Sequence, residues 1–265
     1  WLDPSCKNPC PIKLTGVSEK DQVKLVPHDK MEMLGVPLGS RAFNSDYVKG
    51  DLLTRLRPVL DRLEAFEDTQ AALYLLRVSY SIVRATHYMR TTPLTQWSEH
   101  AATFDTNLIS AAENILATKM PEPVRKQASL TPKLGGLGLR RSSDHAGFAF
   151  QASWYEAKLT AEEEWDIPEG VPAEYSPQSA ASYTFDEQVH ATLIQEAETA
   201  GKPREAQRLR RCAQPHSGGF ITALPSQLDG FDTILKPKTF RTACVLPTRD
   251  PHPRQGDHLS HVHAN

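Results

Sequence analysis

The chain has 265 residues, 39% of them hydrophobic, with 20 prolines, which suits one large domain or two small ones carrying several irregular segments. A formal charge of −2 excludes the gross cationic excess that would by itself demand nucleic acid or a membrane surface, and no apolar run approaches the ~18–20 residues of a membrane span. The charge is unevenly spread: six basic residues lie from Lys119 to Arg141 against Glu122 alone, and nine acidic residues from Glu156 to Glu187 against Lys158 alone. Cys6, Cys10, Cys212 and Cys244 form no dense framework, which points to a reducing compartment, nuclear or cytoplasmic. The chain starts at Trp1, with neither Met nor a signal-like stretch, so the expectation is a fragment or an excised domain.

Residues 1–29 are rich in proline and lysine. Cys6 and Cys10 lack the second pair that a zinc site needs, so they read as incidental thiols. KMEMLGVPLGS (30–40) predicts a β-hairpin, with Gly35 and Gly39 marking a sharp turn and Pro37 unable to donate to the ladder. Asn44 or Ser45 can cap the next helix, along which Leu52, Leu53, Leu56, Val59, Leu60 and Leu63 recur. Pro58 either kinks that helix or opens another. A helix beginning at Glu67-Asp68 and running to about Arg90 has too wide an apolar set for one stripe, so it should be central and mostly buried. Its Arg77, Arg84 and Arg90 recur 7 and 6 apart; a solvated face ranks slightly ahead of phosphate contact.

A helix over about 95–118 carries Phe104, Leu108, Ile109, Ala112, Ile115 and Leu116 inward, and Pro121 and Pro123 break it. QASLTPKLGGLGLR (127–140) places Gly135, Gly136 and Gly138 among Leu134, Leu137 and Leu139, flanked by Lys133, Arg140 and Arg141. This is a shaped turn rather than helix, and close helix packing outranks phosphate holding as its purpose. No Gly-Lys-Ser/Thr follows, so it is not a nucleoside-triphosphate loop. Ser142 or Ser143 can cap a further helix to about Leu159, whose aromatic residues read as core before they read as a base-stacking platform. An acidic linker over 160–182 precedes a helix over 183–199 and another from Pro203 carrying Arg204, Arg208, Arg210 and Arg211, a run best explained as a solvated face. Short helices near 217–225 and 238–246 and a loose tail complete the chain.

The catalytic pair of a template-copying polymerase is usually two adjacent aspartates holding Mg²⁺; no Asp-Asp occurs here, and G-x-S-x-G is absent too. Cys244 with His252, His258, His261 and His263 could bind zinc in principle, although His-rich tails do so adventitiously.

In order, the chain presents MLGVPLGS (33–40), DTQAALYLLR (68–77), HYMRTTP (87–93), Phe104-Asp105, QASLTPKLGGLGLRRSSDHA (127–146), SWYEA (153–157), SGGFITALP (217–225), FRTACVLP (240–247) and GDH (256–258). This series resembles the region downstream of the catalytic palm in reverse-transcriptase-like proteins of non-LTR retrotransposons. The resemblance implies a mainly α fold: a helical thumb-like bundle with a short N-terminal β-hairpin and a smaller helical C-terminal region. It divides the chain into a palm-end hairpin (1–40), a thumb-like domain (41–159), an acidic linker (160–182), a small helical region (183–246) and a tail (247–265). The hairpin at Met33, Leu34 and Gly35 looks like a primer grip. Arg77, Arg84, Arg90, Lys133, Arg140 and Arg141 become the candidates for phosphate contact with an RNA/DNA template–primer duplex. The implied partners are that duplex and an upstream palm, with no membrane. Mg²⁺ would belong to the palm's aspartates, so this chain alone is expected to be inactive and to hold no cofactor. The family's zinc-knuckle-like element would need cysteines after Leu246-Pro247, and their absence speaks against zinc. The competing expectation is a helical structural or protein-interaction module with no nucleic-acid role.

Overall fold

The computed structural model describes residues 30–160, 177–215, 219–222 and 235–245. The proline-rich start with Cys6 and Cys10, most of the acidic linker and the histidine-bearing tail lie outside the described residues. The fold is mainly α, with an antiparallel hairpin at the N-terminal edge of the described residues.

Strands β1 (Lys30–Met33) and β2 (Val36–Gly39) pair from Met33↔Val36 to Lys30↔Gly39. The two-residue turn between them has φ +52° at Leu34 and +78° at Gly35, the double left-handed geometry that matches strand twist. Pro37 faces Glu32, the non-hydrogen-bonded pair next to the turn, so its missing N–H costs no ladder bond.

The helix that follows, α1 (Arg41–Lys49), is capped by Ser40, whose Oγ accepts from the Phe43 N–H at 3.3 Å. This corrects the expected cap at Asn44 or Ser45. The helix starts a turn earlier, and those two side chains are then free for tertiary bonds: Asn44 donates to Gln96, and Ser45 Oγ lies 2.8 Å from His100 Nε2. A π turn (Gly50–Thr54) leads into α2 (Arg57–Glu64), where Pro58 occupies the first turn, as a helix opener should. Asp68 caps α3 (Thr69–Leu75), accepting from the Gln70 and Ala71 N–H groups at 3.0 Å each.

The long helix expected from Asp68 to Arg90 is not continuous. A second π turn (Leu76–Tyr80) and a break at Ser81 (ψ −144°) separate α3 from α4 (Ile82–Thr91). Ser81 Oγ donates to the Arg77 carbonyl, an alternative partner for a helix end that interior serines commonly offer. Helix α5 (Ser98–Leu116) buries Phe104, Leu108, Ile109, Ala112, Ile115 and Leu116, the predicted inner face.

Right after Pro121, with Pro123 in its first turn, lies a helix that periodicity did not announce, α6 (Glu122–Ser129). Its last turn therefore takes Gln127–Ser129 out of the predicted turn. Beyond it, the Leu137 and Leu139 N–H groups both reach back to the Ala128 carbonyl, and Gly138 N–H to Leu130. A Cβ on Gly136 would sit 2.0 Å from the Leu130 carbonyl oxygen, so only glycine allows this closure. Leu134, Leu137 and Leu139 are buried around it.

The next helix, α7 (Ser142–Thr160), is capped from a distance. Asp105 of α5, 4% exposed, accepts from Ser142 N–H (2.7 Å) and Oγ–H (2.9 Å) with one carboxylate oxygen. Its other oxygen accepts from Ser143 N–H (3.0 Å) and Oγ–H (2.7 Å). The expected serines stand at the helix start, but the acceptor is this carboxylate, favourably placed at the positive end of the helix dipole. Ala146 and Ala149, both buried, face the long contact between α7 and α4.

Helix α8 (Gln178–Thr199) starts five residues before the predicted position, right after Pro177, and is followed by α9 (Pro203–Cys212). A short helix α10 (Gly219–Thr222) and α11 (Pro237–Val245) insert Ile221, Phe240 and Cys244 into the cluster that holds Leu73, Phe104 and Leu108. Burial pushes the Cys244 thiol up to about 12. Leu130, Leu134, Leu193 and Leu209 form a second cluster under α8 and α9. No described helix is long and apolar enough to cross a membrane.

Candidate functional site

The six cations named as phosphate contacts have different surroundings. Arg77 is half-buried: its guanidinium donates to the Ile221 carbonyl (2.6 Å) and lies 5.5 Å from the Tyr74 ring centroid, and its methylenes pack against Gly138 of the glycine turn. Burial lowers its pKa from the ordinary value, an effect partly opposed by Tyr74 and Cys244. Arg90 pairs with Glu156 of α7 and donates to Gln178 of α8 at 3.2 Å. Arg140 places two bonds on Asp186 Oδ2, from Nε at 2.9 Å and Nη2 at 2.6 Å. Arg141 is 3.6 Å from Asp144. Arg84 and Lys133 are exposed and ion-pair with no carboxylate among the described residues.

The basic run from Lys119 to Arg141 is thus largely neutralised by the fold. Glu113, buried at the end of α5, accepts from Lys119 (2.9 Å), Arg125 (3.0 Å) and the Met120 N–H (3.1 Å). Burial pushes that carboxyl up, and the three donors together outweigh it, leaving its pKa lowered. Lys126 approaches Glu196 at 3.6 Å. Two carboxylates of the acidic half, Glu156 and Asp186, are the partners of Arg90 and Arg140, so the two opposite excesses are partly matched to each other in space.

Around Asp186 a buried polar centre forms. His145 Nε2 is 3.6 Å from Asp186 Oδ1, and its ring packs edge-on to Phe185 (5.3 Å). Burial, aided by the Arg140 charge, pushes the imidazole down to about 4. Burial also raises the Asp186 carboxyl, against the pull of Arg140.

The residues that the fold does bring together are the hairpin tip and the outer face of α4. A Cβ on Gly35 would be 3.7 Å from His87 Nε2, so the turn sits on α4. Arg84 lies one turn before His87 on that helix, and Val83 beside it is 55% exposed. On the hairpin, Met33 is 50% exposed and Leu34 is 91% exposed despite its left-handed backbone. Met33, Leu34 and Gly35 are thereby brought to His87, one helical turn from Arg84, from about fifty residues away. Sequence reading named both parts, but took Val83 as part of the helix's apolar set and His87 only as the start of HYMRTTP, so neither was named as a site residue.

Among the described residues, no group of three or more His, Cys, Asp or Glu is placed to hold a metal ion. Comparison with known proteins gives no match: no family model, no curated protein and no solved structure is similar to this chain.

Proposed function

We propose that the chain is the non-catalytic part of a reverse-transcriptase-like retroelement protein, contacting a template–primer duplex through its sugar-phosphate backbone. The observation that carries this reading is the juxtaposition of the hairpin tip with the exposed face of α4. Leu34 and Met33 offer apolar surface to a duplex terminus, while Arg84 stands one helical turn from His87, which the tip touches, to meet a phosphate. Of the six cations named as phosphate contacts, Lys133 is the second available without breaking an ion pair. Arg77, Arg90, Arg140 and Arg141 act mainly by holding elements together, so their contribution to binding is indirect. The order of motifs from the hairpin to the glycine turn supports the same reading.

The test is affinity for an RNA–DNA duplex across a salt series, by fluorescence anisotropy. Removing one cation that neutralises a phosphate lowers the log–log salt slope by about 0.9. Arg84→Gln should lower the slope by one such step without changing the melting temperature. An unchanged slope for both Arg84→Gln and Lys133→Gln overturns the assignment.

A second reading is favoured by the same tip. Leu34, Met33 and Val83 are apolar enough to cover a protein surface, as a structural or interaction module would require. Duplex binding no tighter than that of a neutral helical protein, at low salt, decides for this second reading.

A further inference from the structure

Helix α9 carries Arg204, Arg208 and Arg211 at positions i, i+4 and i+7, which places them along one side of the helix. With Gln207 and Cys212 they line a recess of about 490 Å³. From these residues we infer a binding site for a phosphate ester, separate from the hairpin and α4 and independent of the duplex reading.

The three guanidiniums are not equivalent. Arg208 is fixed in place: it pairs with Glu205 and donates to Gln127 Oε1 of α6 at 2.8 Å. The Cys212 thiol also hydrogen-bonds the guanidinium, and Nη1 is buried away from solvent. Arg204 and Arg211 are exposed and ion-pair with no carboxylate among the described residues, whereas the neighbouring Arg210 pairs with Glu198. Glu205 cancels one charge of the three, so the recess carries a net charge of two. That balances a phosphate dianion, and guanidinium forks match phosphate oxygens in shape.

The floor of the recess is rigid, because Cys212 is packed against the glycine turn. A Cβ on Gly135 would collide with Cys212 Cβ at 2.4 Å. The recess is wider than one phosphate group, so the ligand bears a substituent: either the next sugar of a nucleic-acid strand or the organic part of a small phosphomonoester.

The experiment is calorimetric titration of the full chain with inorganic phosphate, against chloride at matched ionic strength. Saturation in the millimolar range or below is expected, with at least a tenfold weakening in Arg204→Gln/Arg211→Gln. Both side chains are exposed, so the variant should fold, and an unchanged melting temperature verifies it. No phosphate effect beyond chloride, or equal binding by the variant, overturns the site. Two competitors then assign the source. Displacement of phosphate by a native oligonucleotide but not by its uncharged methylphosphonate analogue identifies a nucleic-acid strand. Displacement by a phosphomonoester alone identifies a small ligand. Loss of duplex binding in Arg84→Gln with phosphate binding intact shows the two surfaces to be distinct.

Discussion

Replacing Asp105 with alanine should be among the most damaging single changes in the described fold. The carboxylate receives four hydrogen bonds, two of them from the first N–H groups of α7, where no helical partner exists. Ser142 is fully buried, so water cannot replace the missing acceptor at its N–H. Each buried donor left unpaired costs about 1–2 kcal/mol, and removal of the charge–dipole interaction adds about 0.5–1 kcal/mol. The sum is about 3–4 kcal/mol, or roughly 10 °C in melting temperature for a chain of this size. Urea unfolding followed by circular dichroism at 222 nm measures it. The internal control is Ser142→Ala/Ser143→Ala, which keeps both N–H bonds and should lose about half as much. Asp105→Asn retains one carbonyl acceptor and turns an NH₂ toward the remaining donors, so it should fall close to the alanine variant. A loss under about 1 kcal/mol for Asp105→Ala would refute the distant cap as the reason α7 begins where it does.

Gly136→Ala must displace the Leu130 carbonyl, 2.0 Å from the new methyl carbon, and should cost at least about 3 kcal/mol in the same assay. Leu34→Asn should raise stability by about 1 kcal/mol, because asparagine tolerates the left-handed turn, while weakening duplex binding at the exposed tip. His145 titrates near 6.5 when unfolded but near 4 when folded, so the unfolded chain gains its proton first. Stability should therefore fall by about 3 kcal/mol as pH drops from 6.5 to 4, and His145→Phe should flatten that slope. Glu113→Gln removes the charge that Lys119 and Arg125 share, and should free the α5–α6 junction to exchange amide protons faster.

Local signals in the sequence were reliable where the partner was near. The Asp68 cap, the Leu34-Gly35 hairpin, the inner face of α5 and the need for glycine at the turn all depend on residues within a few positions. The eight-residue α6 was hidden because Pro121 and Pro123 at its start look like breakers, although Pro123 is compatible with a first helical turn. The fate of the arginines was hidden for a different reason. Arg140, Arg90 and Arg77 meet partners 46, 66 and 144 residues away, and no local pattern encodes those meetings. Arg84, spaced regularly between Arg77 and Arg90, ion-pairs with no carboxylate among the described residues. The acceptor for Ser142 and Ser143, 37 residues upstream, was visible only as half of a two-residue motif.

The π turn at Leu76–Tyr80 has a consequence for length variants of this protein. A π turn holds about one residue more per turn than an α-helix, so five residues of it turn the chain about as far as four residues of α-helix. Deleting one residue there would let an α turn replace the π turn with little change of phase up to the break at Ser81. Arg84 and His87 would keep their place beside the hairpin tip, and Ala85 and Met89 would stay enclosed. The same deletion inside α4 would instead rotate all that follows it by about 100°. The irregular turn is therefore where copies of this chain can differ by one residue and still keep the surface beside Gly35.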